Sequence, residues 1–423
     1  MSAVWKLILG ARSAALGVSL VFVCSAVPSI WSGNALRYED ETEYQEVAQS
    51  LVHNQGFVTS SGRMTVLRPP GYPMILAAVY EIVDTPLAAK ILNCVLLAAA
   101  SYLLILVSRR LFPSDLAISP YLVLFYPPFL YAATTLYPQT VGGLLLLAAI
   151  LVISGDRYRW VDFVWAGIIY GFLCLAIPSF LYITPILLAF LVFRRGRPTT
   201  NSFISAATLA IFVMLTIAPW TIRNAIDFHA FVPISANGGR NLAIGNSAVT
   251  KPNGKADLHD ACPHVPFIPN EVAFDKALAQ CAVAWMTNNP SAALRLYFGK
   301  LLNYFNFRND LTTSTEHRWW QDWVVVATYY PLLLVALFRL GMVRRYRITG
   351  LEALLYALYF VNGVLSAVFF TRLRFRLPFD LLLVAIDAAF LGRLLMNDPE
   401  RQAASVSSPR SSIAPNDRRA GAG

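Results

Sequence analysis

The sequence predicts an all-α polytopic membrane protein of about ten transmembrane helices, with juxtamembrane helices in its first outer loop. Three observations lead there. Of its 423 residues, 57% are hydrophobic and 14% charged, against about 45–50% and about 25% in soluble domains. The apolar residues fall in blocks of roughly 16–22, long enough to cross about 30 Å of hydrocarbon as helix. The Lys and Arg residues collect in short loops at alternate block ends, as cytoplasmic loops require.

The first block, Ala14 to Ile30, follows Lys6 and Arg12. It is longer than most signal h-regions and no small-residue cleavage site follows, so it reads as a retained anchor with the N-terminus in the cytoplasm. Arg109 and Arg110 close the second block, and Arg157 and Arg159 the fourth. Arg194, Arg195 and Arg197 close the sixth, and Arg344, Arg345 and Arg347 the eighth. The turns near 134–139 and 178–182 carry no Lys or Arg and fall outside. Three outer segments result: 31–86, 221–320 and 371–376. A transmembrane catalytic domain is expected over 1–396. The rest, 397–423, is too polar to order itself and reads as a disordered cytoplasmic tail.

The net charge of +10 sits in those loops. No basic run interleaves with aromatics, which excludes a nucleic-acid partner and leaves membrane lipids. Cys24, Cys94 and Cys174 lie in spans as packing groups. Cys262 and Cys281 share the large outer segment, either bonded structurally or free. His264 has no neighbours at metal-ligand spacing.

Glu39, Asp40, Glu41 and Glu43 crowd the start of the first outer segment. Tyr44, Val47, Ala48 and Leu51 then recur at helical spacing until Gly56 ends the helix. Acids at a helix start suit the macrodipole, and crowding also raises one carboxyl pKa. Arg68-Pro69-Pro70-Gly71-Tyr72-Pro73 precedes an apolar run of only about ten residues, which is too short to span and reads as interfacial or re-entrant. That puts Arg68 at head-group level beside the acids.

In the last outer segment Arg372, Arg374 and Arg376 alternate with Leu373, Phe375 and Leu377. An extended stretch would point all three guanidiniums one way, with Pro378 opening the final helix. Guanidiniums suit phosphate, and lipid head groups or Asp380 are the other available partners. In the large segment, Asn237 to Asn241 and Gly245-Asn246 read as turns. Glu271 to Trp285 and Ser291 to Phe307 read as surface helices, with Lys276, Arg295 and Lys300 on their polar side.

These residues resemble the GT-C glycosyltransferases, in the branch holding the protein O-mannosyltransferases and the lipid A aminoarabinose transferases. The resemblance spans most of the chain. It rests on Asp40-Glu41-Thr42 with Tyr44, on Arg68-Pro69-Pro70, on the stretch from Arg374 to Pro378, and on Pro219-Trp220 with Arg223-Asn224. It implies an inverting transfer of a hexose or pentose from a polyprenyl-phosphate carrier, on the outer face of a bacterial inner membrane. Asp40 would be the base, with Glu41 tuning it or in reserve. Arg68 would hold the carrier phosphate with Arg372, Arg374 and Arg376, and Tyr44, Tyr72 and Arg223 would line the substrate site. Leu67 stands where some relatives carry an acidic metal-holding residue, so no metal is expected, nor any cofactor beyond the lipid-linked sugar. The chain has no room for a folded outer domain, which favours a glycan, lipid or lipopolysaccharide acceptor. A flippase for lipid-linked sugars and an oligosaccharide ligase or polymerase are the alternatives.

Overall fold

The computed structural model describes residues 3–396 except 115, 156–158, 195, 255 and 309–318. The expected tail, 397–423, lies outside the described residues, as do Arg157 and Arg195 of the basic exits. The elements in chain order are α1 (Ala3–Ser32), α2 (Glu39–Val52), α3 (Gly71–Tyr80), α4 (Pro86–Leu111), α5 (Ser119–Phe125), α6 (Pro127–Ala133), α7 (Gln139–Ile153), α8 (Trp160–Ala176) and α9 (Phe180–Phe193). They continue with α10 (Thr200–Phe228), α11 (Gly238–Gly245), α12 (Leu258–Ala261), α13 (Glu271–Asn288), α14 (Pro290–Tyr304), α15 (Trp319–Gly341), α16 (Gly350–Ser366) and α17 (Leu373–Met396). An isolated antiparallel bridge joins Val58 to Met64.

The chain is an all-α polytopic membrane protein. By length and composition, 4 stretches among the described residues suit a crossing: Gly10–Ser32, Pro86–Leu111, Thr200–Phe228 and Trp319–Arg344. The other blocks are shorter apolar helices, cut by turns and prolines, and α17, which has 24 residues but carries charge. The third block breaks at Tyr126-Pro127 into α5 and α6 of 7 residues each. The helices α7, α8, α9 and α16 have 15, 17, 14 and 17 residues.

The long helices present the outward face that lipid requires: Val23, Val27 and Ile30 on α1, Ile211, Met214 and Leu215 on α10, and Leu334 and Phe338 on α15 are exposed. Without lipid such a surface would be an aggregation liability. The last helix behaves in the opposite way. Its residues from Arg376 to Phe390 are buried without a break, and it packs against α4, α5, α7, α15 and α16. It is the axis of the bundle, and it carries charge inside. Arg376 pairs with Asp380 at 3.1 Å, and nearby Arg339 pairs with Glu352 at 2.7 Å. Ionisable groups are therefore not confined to the outer rim.

Within the first outer segment, the helix α2 stops at Val52 and not at Gly56, with Asn54 taking the left-handed backbone at φ 58, a conformation asparagine tolerates. The short helix α3 begins against the end of α8, where a Cβ on Gly71 would lie 2.7 Å from the Ala176 backbone nitrogen. Only glycine permits that approach. Gly71→Val is expected to push α3 off α8 and cost about 1–3 kcal/mol, seen as a lower midpoint of thermal unfolding in detergent. An unchanged midpoint would show that the two helix ends are not in contact.

Candidate active site

Asp40, Glu43 and Tyr44 share one face of α2, being one helical turn apart. Arg68 lies across all three. Its Nη2 donates to Asp40 Oδ1 at 2.5 Å and its Nε to Glu43 Oε2 at 2.5 Å, while the guanidinium stands 5.2 Å from the Tyr44 ring centre. The other oxygen of Asp40 faces the far end of the chain. Oδ2 accepts from Arg374 Nη1 at 2.6 Å and from the Tyr137 hydroxyl at 3.3 Å, and Arg374 stacks 4.6 Å from the Tyr137 ring centre. Burial pushes the Asp40 carboxyl up, but Arg374 and Arg68 outweigh it and hold the group well below the usual carboxylate range.

The strand-like segment carrying Arg68 is fixed from three sides. Glu271, at the start of α13, accepts from Thr65 Oγ1 at 2.9 Å and from the Val66 amide at 2.7 Å. The Ala236 amide donates to the Val66 carbonyl at 2.9 Å. Arg223 donates to the Thr65 carbonyl at 3.0 Å, pairs with Asp227 at 2.7 Å and lies against Phe57, Trp220 and Phe228. The family resemblance puts Arg223 in the substrate site. It is instead a staple between α10 and the first outer segment, its donors spent on backbone and Asp227.

The late arginines also depart from expectation. The chain is helical from Leu373, so the alternation that would align the side chains in an extended strand separates them by about 200° of helix rotation. Arg374 turns to Asp40, whereas Arg376 turns into the bundle. There Arg376 donates to the Tyr304 carbonyl at 2.5 Å and the Asn306 carbonyl at 3.1 Å, and it lies 3.6 Å from the Tyr329 ring centre. Arg376 is fully buried and does not face the site. Arg372 precedes the helix and is half-buried against Phe370. Among the described residues its guanidinium makes no hydrogen bond or ion pair, and burial, with Arg374 beside it, pushes that group down to about 10.

The approach to Arg372 is pinned by Lys300. Expected on a solvated face, Lys300 is fully buried on α14. Its ammonium donates to the carbonyls of Phe369 at 2.8 Å and Gly245 at 3.0 Å, and to Asn246 Oδ1 at 2.8 Å. Asn303, one turn on, donates to Thr371 Oγ1 at 2.9 Å. A Cβ on Gly245 would meet the Phe369 oxygen at 2.0 Å, so this clamp closes only on glycine.

Two other expected residues lie behind the site. Glu41 is fully buried on the packing stripe of α2 that also holds Tyr44 and Ala48. Its Oε2 accepts from the Leu136 amide at 3.3 Å, and burial raises its pKa. Buried behind Tyr137 and bonded to neither Arg68 nor Arg374, it is not positioned as a reserve base. Tyr72 is fully buried, its hydroxyl accepting from Asn93 at 3.0 Å and its ring edge-on to Tyr44 at 5.3 Å, so it supports Tyr44 from below. Glu43 and Tyr137 join the cluster, although the sequence motifs assign neither a place in the site. Spacing of three from Asp40 marks Glu43, but Tyr137 sits in a turn with no pattern of its own. Cys262 and Cys281 are bonded, tying α12 to α13. Among the described residues no three His, Cys, Asp or Glu side chains gather as metal ligands would. A cavity of about 460 Å³ opens elsewhere, between Pro252-Asn253, α14 and Tyr330, and no acidic or basic side chain lines it.

The fold is similar to that of ArnT from Cupriavidus metallidurans bound to undecaprenyl phosphate, at 12% identity over 93% of this chain and 79% of that one, with a TM-score of 0.43. The apo form of the same protein is similar at 13% identity over 90% and 78%, with a TM-score of 0.41. No family model matches the sequence, and no curated protein matches it.

A carboxylate held low by its partners contributes stability above its unfolded pKa, 3.8 for an ordinary aspartate such as Asp40 in the unfolded chain. That contribution is lost as pH falls from there toward the folded value. Arg374→Gln leaves burial to act with one cation fewer. It is expected to lower the unfolding midpoint at pH 7 and to flatten the loss that the parent protein shows below about pH 4. Parallel acid profiles for the two proteins would count against the Asp40–Arg374 pairing.

Proposed function

We propose that this integral membrane protein is an inverting glycosyltransferase. It takes a sugar from a polyprenyl-phosphate carrier and passes it to a glycan, lipid or lipopolysaccharide acceptor at the non-cytoplasmic face of a bacterial inner membrane. The observation that carries the reading is one carboxylate, Asp40, gathered with Arg68, Arg374 and the unpaired Arg372 at the end of the bundle. A carboxylate to accept a proton and fixed guanidiniums to hold an anion are what such a transfer requires.

Polyprenyl phosphate leaves as an anion, so catalysis rests on stabilising charge at the leaving oxygen. Arg68, Arg372 and Arg374 supply that, with Tyr44 and Tyr137 as the aromatic walls against which two of them lie. Asp40 takes the proton of the acceptor hydroxyl as that oxygen attacks the anomeric carbon from the face opposite the phosphate. A single displacement inverts that carbon, by analogy with inverting hydrolases. Glu43 holds Arg68 in place when Asp40 is engaged elsewhere. No cofactor beyond the lipid-linked sugar enters this scheme. The orientation, with both termini in the cytoplasm, is supported by the basic exits and by the Cys262–Cys281 bond, since disulfides persist in oxidising compartments.

Asp40→Asn is expected to insert normally and to lower transfer by about 10²–10⁴-fold, the usual worth of a general base. Transfer from polyprenyl-phosphate sugar by the purified variant at the parental rate would remove Asp40 from the mechanism. Arg372→Ala should raise the apparent KM for the donor by on the order of tenfold, about 1.4 kcal/mol, with kcat less affected. An unchanged KM would exclude Arg372 from donor binding.

A further inference from the structure

Both oxygens of Asp40 are spent on the two cations that an entering phosphate would need, Arg68 at 2.5 Å and Arg374 at 2.6 Å. Other donors are unspent. Arg374 Nε is buried without an acceptor, and the Arg372 guanidinium has no hydrogen bond or ion pair among the described residues. The groups that face Asp40 are Glu43 and Tyr44 on its own helix, Arg68 from the following segment, Tyr137 and the nearby Tyr38 ring, and Arg374 with Arg372 from the start of α17. Three guanidiniums stand against two carboxylates, Asp40 and Glu43. The site thus has room for one further negative charge, which a phosphodiester donor supplies.

During transfer the bond from the anomeric carbon to the phosphate oxygen breaks and its electron pair stays on that oxygen. The acceptor oxygen bonds to carbon, and its proton moves to Asp40. The phosphate is then a monoester with close to two negative charges above pH 7, its second pKa being near 6. With Asp40 protonated, three guanidiniums face Glu43 and a dianion, and the site is again balanced. With Asp40 ionised it would hold one negative charge too many, and two anions would compete for Arg68 and Arg374.

We infer that the site binds the lipid phosphate monoester with uptake of one proton at Asp40, so that the spent carrier leaves as Asp40 gives that proton up. This rests on the transferase reading and adds to it a coupling between carrier release and the state of the base.

The test is calorimetric titration of the purified full-length protein with farnesyl phosphate at pH 7.5, in two buffers of different ionisation enthalpy, with the monomethyl diester of farnesyl phosphate as control. The monoester should take up close to one proton per site and the diester none. Asp40→Asn, neutral from the start, should bind the monoester more tightly than the parent protein and take up no proton. Parental affinity for the monoester should fall up to tenfold per pH unit above pH 7, the limit for one linked proton. Tight monoester binding without proton uptake, or equal uptake with the diester, would overturn the inference and leave the transferase reading standing. Failure of the parent protein to bind either lipid would overturn the transferase reading and the inference with it. If Asp40→Asn proved too unstable to purify, the phosphorus NMR shift of the bound monoester would place the proton: a dianion shift is expected, and a monoanion shift, putting the proton on the phosphate, would overturn the inference.

Discussion

The Asp40 carboxylate is shared between two guanidiniums that the chain delivers from opposite ends, with Arg374 334 residues away in sequence. Such a pairing holds only if three separate backbone segments are kept within tenths of an ångström of one another, since an ion pair that must order its own arms gains little. Much of the extramembrane structure answers that demand. Glu271 and Arg223 fix the segment before Arg68 by bonding its backbone. Lys300, Asn303 and the close packing of Gly245 fix the segment before Arg372. Each of these groups spends its polar atoms on main-chain or neighbouring side-chain partners and leaves none for a ligand. They hold still the groups that do have donors to offer.

The rotation of α17 is set by Arg376, a buried residue with no part in the site, through its bonds to other elements, whereas its ion pair with Asp380 lies within α17 and turns with it. Buried pairs are weak sources of stability, because desolvation offsets much of their attraction. The Tyr304 and Asn306 carbonyls and the Tyr329 ring meet Arg376 from outside the helix, and in the orientation they favour Arg374 faces Asp40. A turn of one residue would carry Arg374 about 100° away and take Arg376 from its carbonyl acceptors. Specificity of rotation is thus obtained from a residue whose composition suggested phosphate binding.

The sequence made the fold class legible because the signal is long and redundant: apolar blocks, basic exits, few charges elsewhere. It made Asp40, Tyr44, Arg68 and Arg374 legible because each sits in a short, crowded or unusual stretch. What it could not carry was direction. The alternation of Arg372, Arg374 and Arg376 reads the same in a strand and at a helix start, and only the observed helix separates the three. Glu41 and Asp40 are adjacent letters, yet about 100° of helix rotation sends one into the packing stripe and the other to the arginines. Lys300 looked like a surface lysine because its acceptors are carbonyls of remote segments, which leave no trace in composition. The lengths of the spans were hidden for a related reason. Hydropathy measures how apolar a stretch is, whereas crossing also needs length, and α17, the most buried helix, is among the more charged.

The cluster is unevenly satisfied, and the unevenness has a direction. Asp40 has its acceptor sites filled, while the surplus of donors lies on Arg372 and on Nε of Arg374, on the side of α17. An anion drawn in by those donors meets guanidiniums already held at fixed positions, so binding it requires little reorganisation, which is the condition under which electrostatic stabilisation is largest. The same move weakens the hold on Asp40. The lowering influence of Arg374 and Arg68 is then divided with the newcomer, while the raising influence of burial persists and grows as the ligand excludes water. On the proposed function Asp40, a poor base while both guanidiniums hold it, would become a better one with a phosphate in place. On that reading the charge arrangement would tie the readiness of Asp40 as base to the presence of the donor.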